Sequence, residues 1–369
     1  MKVPFVDFKK QYQTIKKEIE KEVKKVLDSG CYILGPEVEN FEKEFARFCG
    51  AKYVLAVNNG TSALMLALLA LDLKKGDEVI TVSNTFVATV EAILFAGLKP
   101  VFVDINPQTQ NIDVSQIEKK ITKKTKVILP VHLFGRVCEM DAILSIAKKH
   151  NLFVVEDAAQ AHGAELNGKK AGSFGDIGCF SFYPTKVLGA MGEGGAVVTS
   201  NKKLAEKMKR IRDHGSDKKY HHSILGLNLR MEAIQGAILA VKIKYLSRWI
   251  KMRQQAAKNY AKLLKGLPLA LPKENKSLKN VYYVYVVKTK QRLRLQEYLA
   301  GQGIGTMIHY PLPVHWQKSF KFLGHKKGDL PETEKAAKEI LSLPFWPEIT
   351  LNQQKYVAQK IKEFYRKNE

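Results

Sequence analysis

Three segments join chemically active side chains to the backbone settings that put such side chains to use. In Asn58-Asn59-Gly60-Thr61-Ser62, a glycine and two hydroxyl residues stand between an apolar run and a helical stretch. Gly60 permits close backbone approach, and the amides and hydroxyls of Thr61 and Ser62 would open the helix, which makes a cradle for a phosphate. An ordinary helix cap at Thr61 or Ser62 would look the same. No Walker lysine and no G-x-G-x-x-G pattern follows, which argues against a nucleoside triphosphate or a dinucleotide. In Glu156-Asp157-Ala158-Ala159-Gln160-Ala161-His162-Gly163, two acids leave the end of the apolar run Leu152–Val155. The third segment, Phe180-Ser181-Phe182-Tyr183-Pro184-Thr185-Lys186, is followed by Gly189 and Gly192-Glu193-Gly194-Gly195. A lysine in apolar surroundings has a lowered pKa and can attack a carbonyl carbon. An exposed loop lysine is the plain alternative.

Taken jointly, a phosphate cradle, a strand-end aspartate and a sheltered lysine meet the needs of pyridoxal 5'-phosphate. The lysine would hold the aldehyde, and the aspartate would keep the ring nitrogen protonated so that the ring accepts electrons. These residues need a scaffold that gathers them. Short apolar runs at Tyr53–Val57, Glu78–Val82, Pro100–Asp104, Lys126–His132 and Leu152–Glu156 alternate with helical stretches at 61–72, 86–96, 114–121 and 140–149. The runs are continuous rather than alternating, as strands buried on both faces are, so the spacing predicts a parallel sheet with helical crossovers. In such α/β sheets ligands lie beyond the carboxyl ends of the strands, where all three segments fall. An amphipathic helix opens the chain and Gly30 closes it. From Lys202 to about Leu264 the pattern reads as helical. Pro268 to Asn280 reads as a turn-rich basic connection. Strand Tyr282–Lys288 and helices near 290–301, 331–341 and 351–365 follow. The expected division is a large cofactor-binding domain over residues 1–250 and a small C-terminal α+β domain over 251–369.

The chain of 369 residues carries 60 Lys plus Arg against 36 Asp plus Glu, a formal charge of +24. Nucleic-acid binders gain affinity from such an excess. Here, however, the lysines are spread along the chain and interleaved with acids, as in Lys16-Lys17-Glu18-Ile19-Glu20-Lys21. A solvated surface that favours an anionic small substrate fits better, with no nucleic-acid partner. Cys31, Cys49, Cys138 and Cys179 are far apart, which suits free thiols in a reducing cytoplasm rather than a disulfide framework or a metal site. No signal peptide or membrane-spanning run is recognisable, so no membrane partner is expected.

The motifs also carry a resemblance. Gly60-Thr61-Ser62-Ala63-Leu64, Gly76-Asp77-Glu78-Val79-Ile80, Thr85-Phe86-Val87-Ala88-Thr89, Glu156-Asp157-Ala158-Ala159-Gln160, Ser181-Phe182-Tyr183-Pro184-Thr185-Lys186, Gly192-Glu193-Gly194-Gly195 and Gly226-Leu227-Asn228-Leu229-Arg230-Met231 together resemble the DegT-type (DegT/DnrJ/StrS) sugar aminotransferases. The resemblance covers nearly the whole chain. It implies fold type I, the aspartate aminotransferase-like α/β fold. It also implies amino transfer from L-glutamate to a nucleotide-linked keto-sugar, for polysaccharide or glycoside biosynthesis. By the same resemblance Lys186 would hold the cofactor and shuttle the proton, and Asp157 would pair with the ring nitrogen. Gln160 would bond the ring hydroxyl and Phe86 would stack on the ring. Gly60, Thr61, Ser62 and Ser181 would hold the phosphate, with Asn228 reaching across from a second subunit, which makes the enzyme a homodimer with shared sites. Tyr220, His221, Arg230, His309 and Tyr310 match positions that meet the sugar nucleotide. Some relatives carry histidine in place of the lysine and act as dehydratases, so Lys186 favours transamination. The stretch Tyr183–Gly189 and the run Lys218-Lys219-Tyr220-His221-His222 resemble members that aminate carbon 3. Amination at carbon 4, an inosose acceptor, and a non-catalytic cofactor-binding regulator are the neighbouring readings.

Overall fold

The continuous apolar runs are strands with both faces covered. In the computed structural model, which describes residues 1–273 and 277–367, they are β1 (Tyr53–Val57), β2 (Glu78–Val82), β3 (Lys99–Val103), β4 (Thr125–Ile128) and β5 (Phe153–Asp157). Two further strands, β6 (Ile177–Ser181) and β7 (Gly195–Thr199), complete a seven-stranded sheet of order β1-β7-β6-β5-β4-β2-β3. Pairing is parallel from β3 through β2, β4 and β5 to β6. β7 runs antiparallel to both β6 and β1, so it alone points the other way. Six strands therefore release their carboxyl ends along one edge, as a mainly parallel α/β sheet requires.

The helices that cover this sheet are α1 (Phe8–Ser29), α2 (Pro36–Cys49), α3 (Gly60–Leu69), α4 (Ala88–Phe95), α5 (Met140–His150), α6 (Lys202–Arg212) and α7 (Ala233–Leu263). α1 starts where the Lys9 N–H meets the Asp7 carboxylate and stops at Gly30, whose φ is 67°. α3 and α4 are apolar almost all round because each is buried within the fold. Two expectations need correction. The stretch 114–121 is a 3₁₀ turn followed by only the four-residue helix Ile117–Lys120. The helical reading from Lys202 to Leu264 is interrupted between α6 and α7. There a ribbon pairs Ser216–Lys218 with His221–His222. Gly215 and Gly226 make the interruption possible, because a Cβ on Gly226 would lie 1.9 Å from the Gly215 nitrogen.

A second buried cluster holds Tyr260, Tyr285, Phe345 and Trp346. Here β8 (Tyr285–Lys288) pairs antiparallel with β9 (Ile340–Leu343), flanked by α8 (Arg292–Gly301), α9 (Pro331–Glu339) and α10 (Leu351–Arg366). α7 runs unbroken across position 250, and Val3 packs with this second cluster rather than the first. The connection read over Pro268–Asn280 falls partly on residues 274–276, outside the described residues. Beyond the end of β3, the Asp104 carboxylate accepts the Glu332 and Thr333 N–H groups at 2.8 and 2.9 Å and so caps α9. Among the described residues no helix is long and apolar enough to cross a membrane.

Candidate active site

The site grows from the shared sheet edge. α3 starts directly after β1, and its first-turn N–H groups lack partners inside the helix. Asn59, rather than Thr61 or Ser62, is the cap, since its Oδ1 accepts the Ser62 N–H at 2.8 Å. That leaves the Gly60 and Thr61 amides for a ligand. Ser62 itself is buried, with its amide already engaged. A Cβ on Gly60 would meet the Ser181 Cβ at 2.6 Å, and one on Gly195 would meet the Asn59 carbonyl oxygen at 2.3 Å. Glycine at both positions lets the turn after β1 close against the ends of β6 and β7. Gly60, Thr61 and Ser181 thus share one hollow.

Asp157 ends β5 inside the protein. Its Oδ2 accepts from the Thr89 hydroxyl at 2.8 Å, and the Thr85 hydroxyl lies 2.8 Å from that of Thr89. Oδ1 accepts the Ala159 N–H at 3.2 Å. Burial pushes this carboxyl up, while the Thr89 and Ala159 hydrogen bonds and the positive charge of Lys186 pull it back. Gln160 is locked by two bonds: its Oε1 accepts the Phe134 N–H at 2.7 Å and its Nε2 donates to the Tyr310 hydroxyl at 3.2 Å. Phe86 stays half exposed, its ring 5.7 Å from that of Tyr310.

Lys186 sits in the loop between β6 and β7. The Lys186 N–H donates to the Tyr183 carbonyl, and Phe182 and Ala190 close the loop through a second backbone bond. A Cβ on Gly189 would lie 2.4 Å from the Pro184 oxygen, so that tight return needs glycine. The Lys186 ammonium lies 4.7 Å above the Tyr283 ring, and the Tyr283 hydroxyl bonds Thr185 at 2.9 Å. His309 bonds the Ser342 hydroxyl through Nδ1 at 2.9 Å, with its ring 5.6 Å from Tyr310 and 6.2 Å from Tyr283. Burial first, and the Lys186 charge second, hold His309 down to about 4. His162 is enclosed by Phe45, Phe180 and Phe182, and burial first, then the Lys186 charge, hold it down to about 3. It is a neutral packing residue beside the site.

The structure gathers Lys186, Asp157, Gln160, Phe86, His309 and Tyr310 through this network. It does not bring in Tyr220, His221 or Asn228: no hydrogen bond or ring contact joins them to that group among the described residues. Tyr220 is 82% exposed on the ribbon. Arg230 lies beside the end of β1 through a bridge to Val57, and its guanidinium bonds both Asn228 and Asp213. Several residues of the site carry no local signature in the sequence. Tyr283 looks like one more member of an aromatic strand. Thr85 and Thr89 stand four apart within a quoted motif, Thr85 just before α4 and Thr89 in its first turn. His132 and Glu156 are buried together: Glu156 accepts from His132 Nε2 and from the Gly172, Phe174 and Gly175 N–H groups, which anchors the strand end that carries Asp157.

These residues fit a pyridoxal phosphate. The glycine-lined hollow suits its phosphate. Asp157, buried with no cationic side chain in hydrogen-bond reach, suits a protonated ring nitrogen.

Comparison with known proteins agrees with this geometry. The sequence model of the DegT/DnrJ/EryC1/StrS aminotransferase family matches residues 13–362. The chain is 48% identical over 369 residues to a protein of Geobacillus stearothermophilus named pleiotropic regulatory protein, covering 99% of each. It is 40% identical to the dTDP-3-amino-3,4,6-trideoxy-alpha-D-glucose transaminase of Streptomyces venezuelae, covering 98% of this chain and 96% of the relative. Its fold is similar to the crystal structure of S. venezuelae DesV in complex with a ketimine intermediate. There the TM-score is 0.96 at 40% identity, covering 98% of each chain.

Proposed function

The chain belongs to the DegT/DnrJ/EryC1/StrS aminotransferase family, and from that premise we propose that it transfers an amino group from L-glutamate to a nucleotide-linked 3-keto sugar. Pyridoxal phosphate, when bound, supplies the electron sink for this exchange. The observation that carries the reading is the meeting, at one sheet edge, of Lys186, the buried Asp157 and the Gly60–Ser181 hollow.

The chain's own residues divide the work as follows. The Gly60 and Thr61 amides and the Ser181 hydroxyl bind the phosphate, with the α3 N-terminus adding its dipole. Asp157, charged and oriented by Thr89, holds a proton on the ring nitrogen. Gln160 orients the ring hydroxyl, and Phe86 covers one face. The Lys186 amine would move a proton between the substrate carbon and the cofactor carbon, as general base and then general acid. His309, held neutral, adds no positive charge beside that amine. Arg230, with Tyr220 and His221, is assigned to the sugar nucleotide.

Two identical subunits complete the site in this proposal. Support comes from exposed apolar side chains: Leu27 and Met191 line one open hollow, and Tyr220 and Leu225 are exposed in the segment between α6 and α7. Asn228 would then reach the phosphate of the neighbouring subunit. The proposed location is the cytoplasm, supported by free thiols at all four cysteines.

The deciding assay supplies cofactor-loaded protein with L-glutamate and a nucleotide-linked 3-keto sugar, and follows the amino sugar by mass spectrometry. Faster turnover of a 4-keto sugar or a keto-inositol would reassign the acceptor. The name of the Geobacillus relative favours a second reading, a regulator that binds the cofactor without turnover. Formation of 2-oxoglutarate from glutamate alone excludes it, and its absence would establish it over the enzyme.

A further inference from the structure

A cavity of about 510 Å³ opens between the loop after β3 and the smaller unit. None of the residues assigned above to the cofactor or the sugar lines it. Its wall holds three lysines, Lys288, Lys290 and Lys335, and two acids, Glu332 and Glu339. Among the described residues none of these five charges makes an ion pair. They nonetheless feel one another: Lys288 is held down by burial first, then raised and lowered by Glu339, Lys335 and Glu332 in turn. The Lys288 ammonium donates to the Pro107 carbonyl at 2.6 Å, which ties the smaller unit to the loop after β3.

The same carbonyl accepts the Gln110 Nε2 at 2.8 Å. The open wall offers ammonium groups for an anion and carboxylates for a cation. The volume lies within the range of cavities that take small organic ligands, roughly 300–1,000 Å³.

We propose that this cavity is a second ligand site, built for a small phosphorylated amine. Its phosphate would meet Lys290, Lys335 and the free N–H groups of Lys288. Its ammonium would meet Glu332 and Glu339. Such a ligand touches both the loop after β3 and the smaller unit, so its binding stiffens their junction. The inference does not rest on the amination reading, since an inactive protein can be titrated as readily as an active one.

The test is calorimetric titration of the cofactor-loaded protein with glucosamine 1-phosphate, glucose 1-phosphate, inorganic phosphate and L-glutamate. The expected result is saturable binding of glucosamine 1-phosphate, about tenfold tighter than the other three, as one added charge-assisted contact gives. The double variant Lys290→Ala/Lys335→Ala should weaken both sugar phosphates at least about tenfold. Glu332→Gln/Glu339→Gln should erase the preference for the amine and keep the phosphate. Arg230→Ala, in the proposed sugar-nucleotide site, should leave the titration unchanged. Circular dichroism and melting curves check that each variant is folded. Absence of saturable binding, equal binding of all four probes, or loss on Arg230→Ala with retention in the lysine variant overturns the proposal.

Discussion

In its proposed role Asp157 has to stay charged in a place that resists charge. Burial pushes its carboxyl up, and the Thr89 hydroxyl is its shortest counterweight. Thr89→Val removes that donor while keeping the shape, and should weaken cofactor binding to the apoprotein about tenfold, the usual worth of a charge-assisted bond. Thr89→Ser should restore it, and reconstitution followed by intrinsic fluorescence measures both. Lys186→Ala should abolish turnover and the visible absorbance of the loaded protein. The two buried histidines act on stability instead. Unfolded, each takes a proton near pH 6.5, while in the fold His309 waits until about 4 and His162 until about 3. As pH falls from 6.5 towards 4 the unfolded chain therefore binds protons that the native chain refuses, and stability is lost. His162→Phe, packed among three phenylalanines, should shrink the fall in Tm between about pH 7 and pH 5 by roughly 2 °C, as calorimetry would show.

At the scale of elements, the parts of the fold that could be read were those with a local cause. Continuous apolar runs such as Val54-Leu55-Ala56-Val57 announced covered strands, and β1 to β7 meet in one sheet. The stretch from Asp213 to Glu232 misled because Ile224, Leu225, Leu227 and Leu229 supply apolar residues at mixed spacings, while its shape comes from two glycines pinched together. Gly226→Ala drives a Cβ against the Gly215 nitrogen and should destabilise the protein by about 1–3 kcal/mol, read from urea unfolding. Within the site, Lys186 and Asp157 stood out because each follows an apolar strand, whereas Gln160 was named only by the family resemblance. Tyr283, His132 and the Asp104 cap of α9 did not stand out. Their partners stand far away in the chain, and nothing in the neighbouring residues marks a pairing that only the folded chain creates.

At the scale of the whole molecule, the proposed dimer with shared sites has a distinctive signature. Lys186→Ala and Asn228→Ala proteins should each be inactive or nearly so. Mixed, dissociated and reassociated, they should regain up to about a quarter of the native activity, because half of the assemblies pair one intact set of residues. Lack of recovery would place Asn228 outside the neighbouring site. The charge of +24 belongs at this scale too: it should speed capture of an anionic sugar nucleotide, an advantage that should fade as salt rises.

The reversed strand also dictates an order of events during synthesis. β1 pairs with nothing in the sheet except β7, and β7 ends at Thr199. The turn after β1 therefore has no wall to lean on until more than half of the polypeptide has left the ribosome. The strands from β2 to β6 can associate as they emerge, and the segment made first is stitched in last. A newborn chain shortened anywhere before Gly195 would keep β1 as an unpaired edge, which makes it a ready target for chaperones.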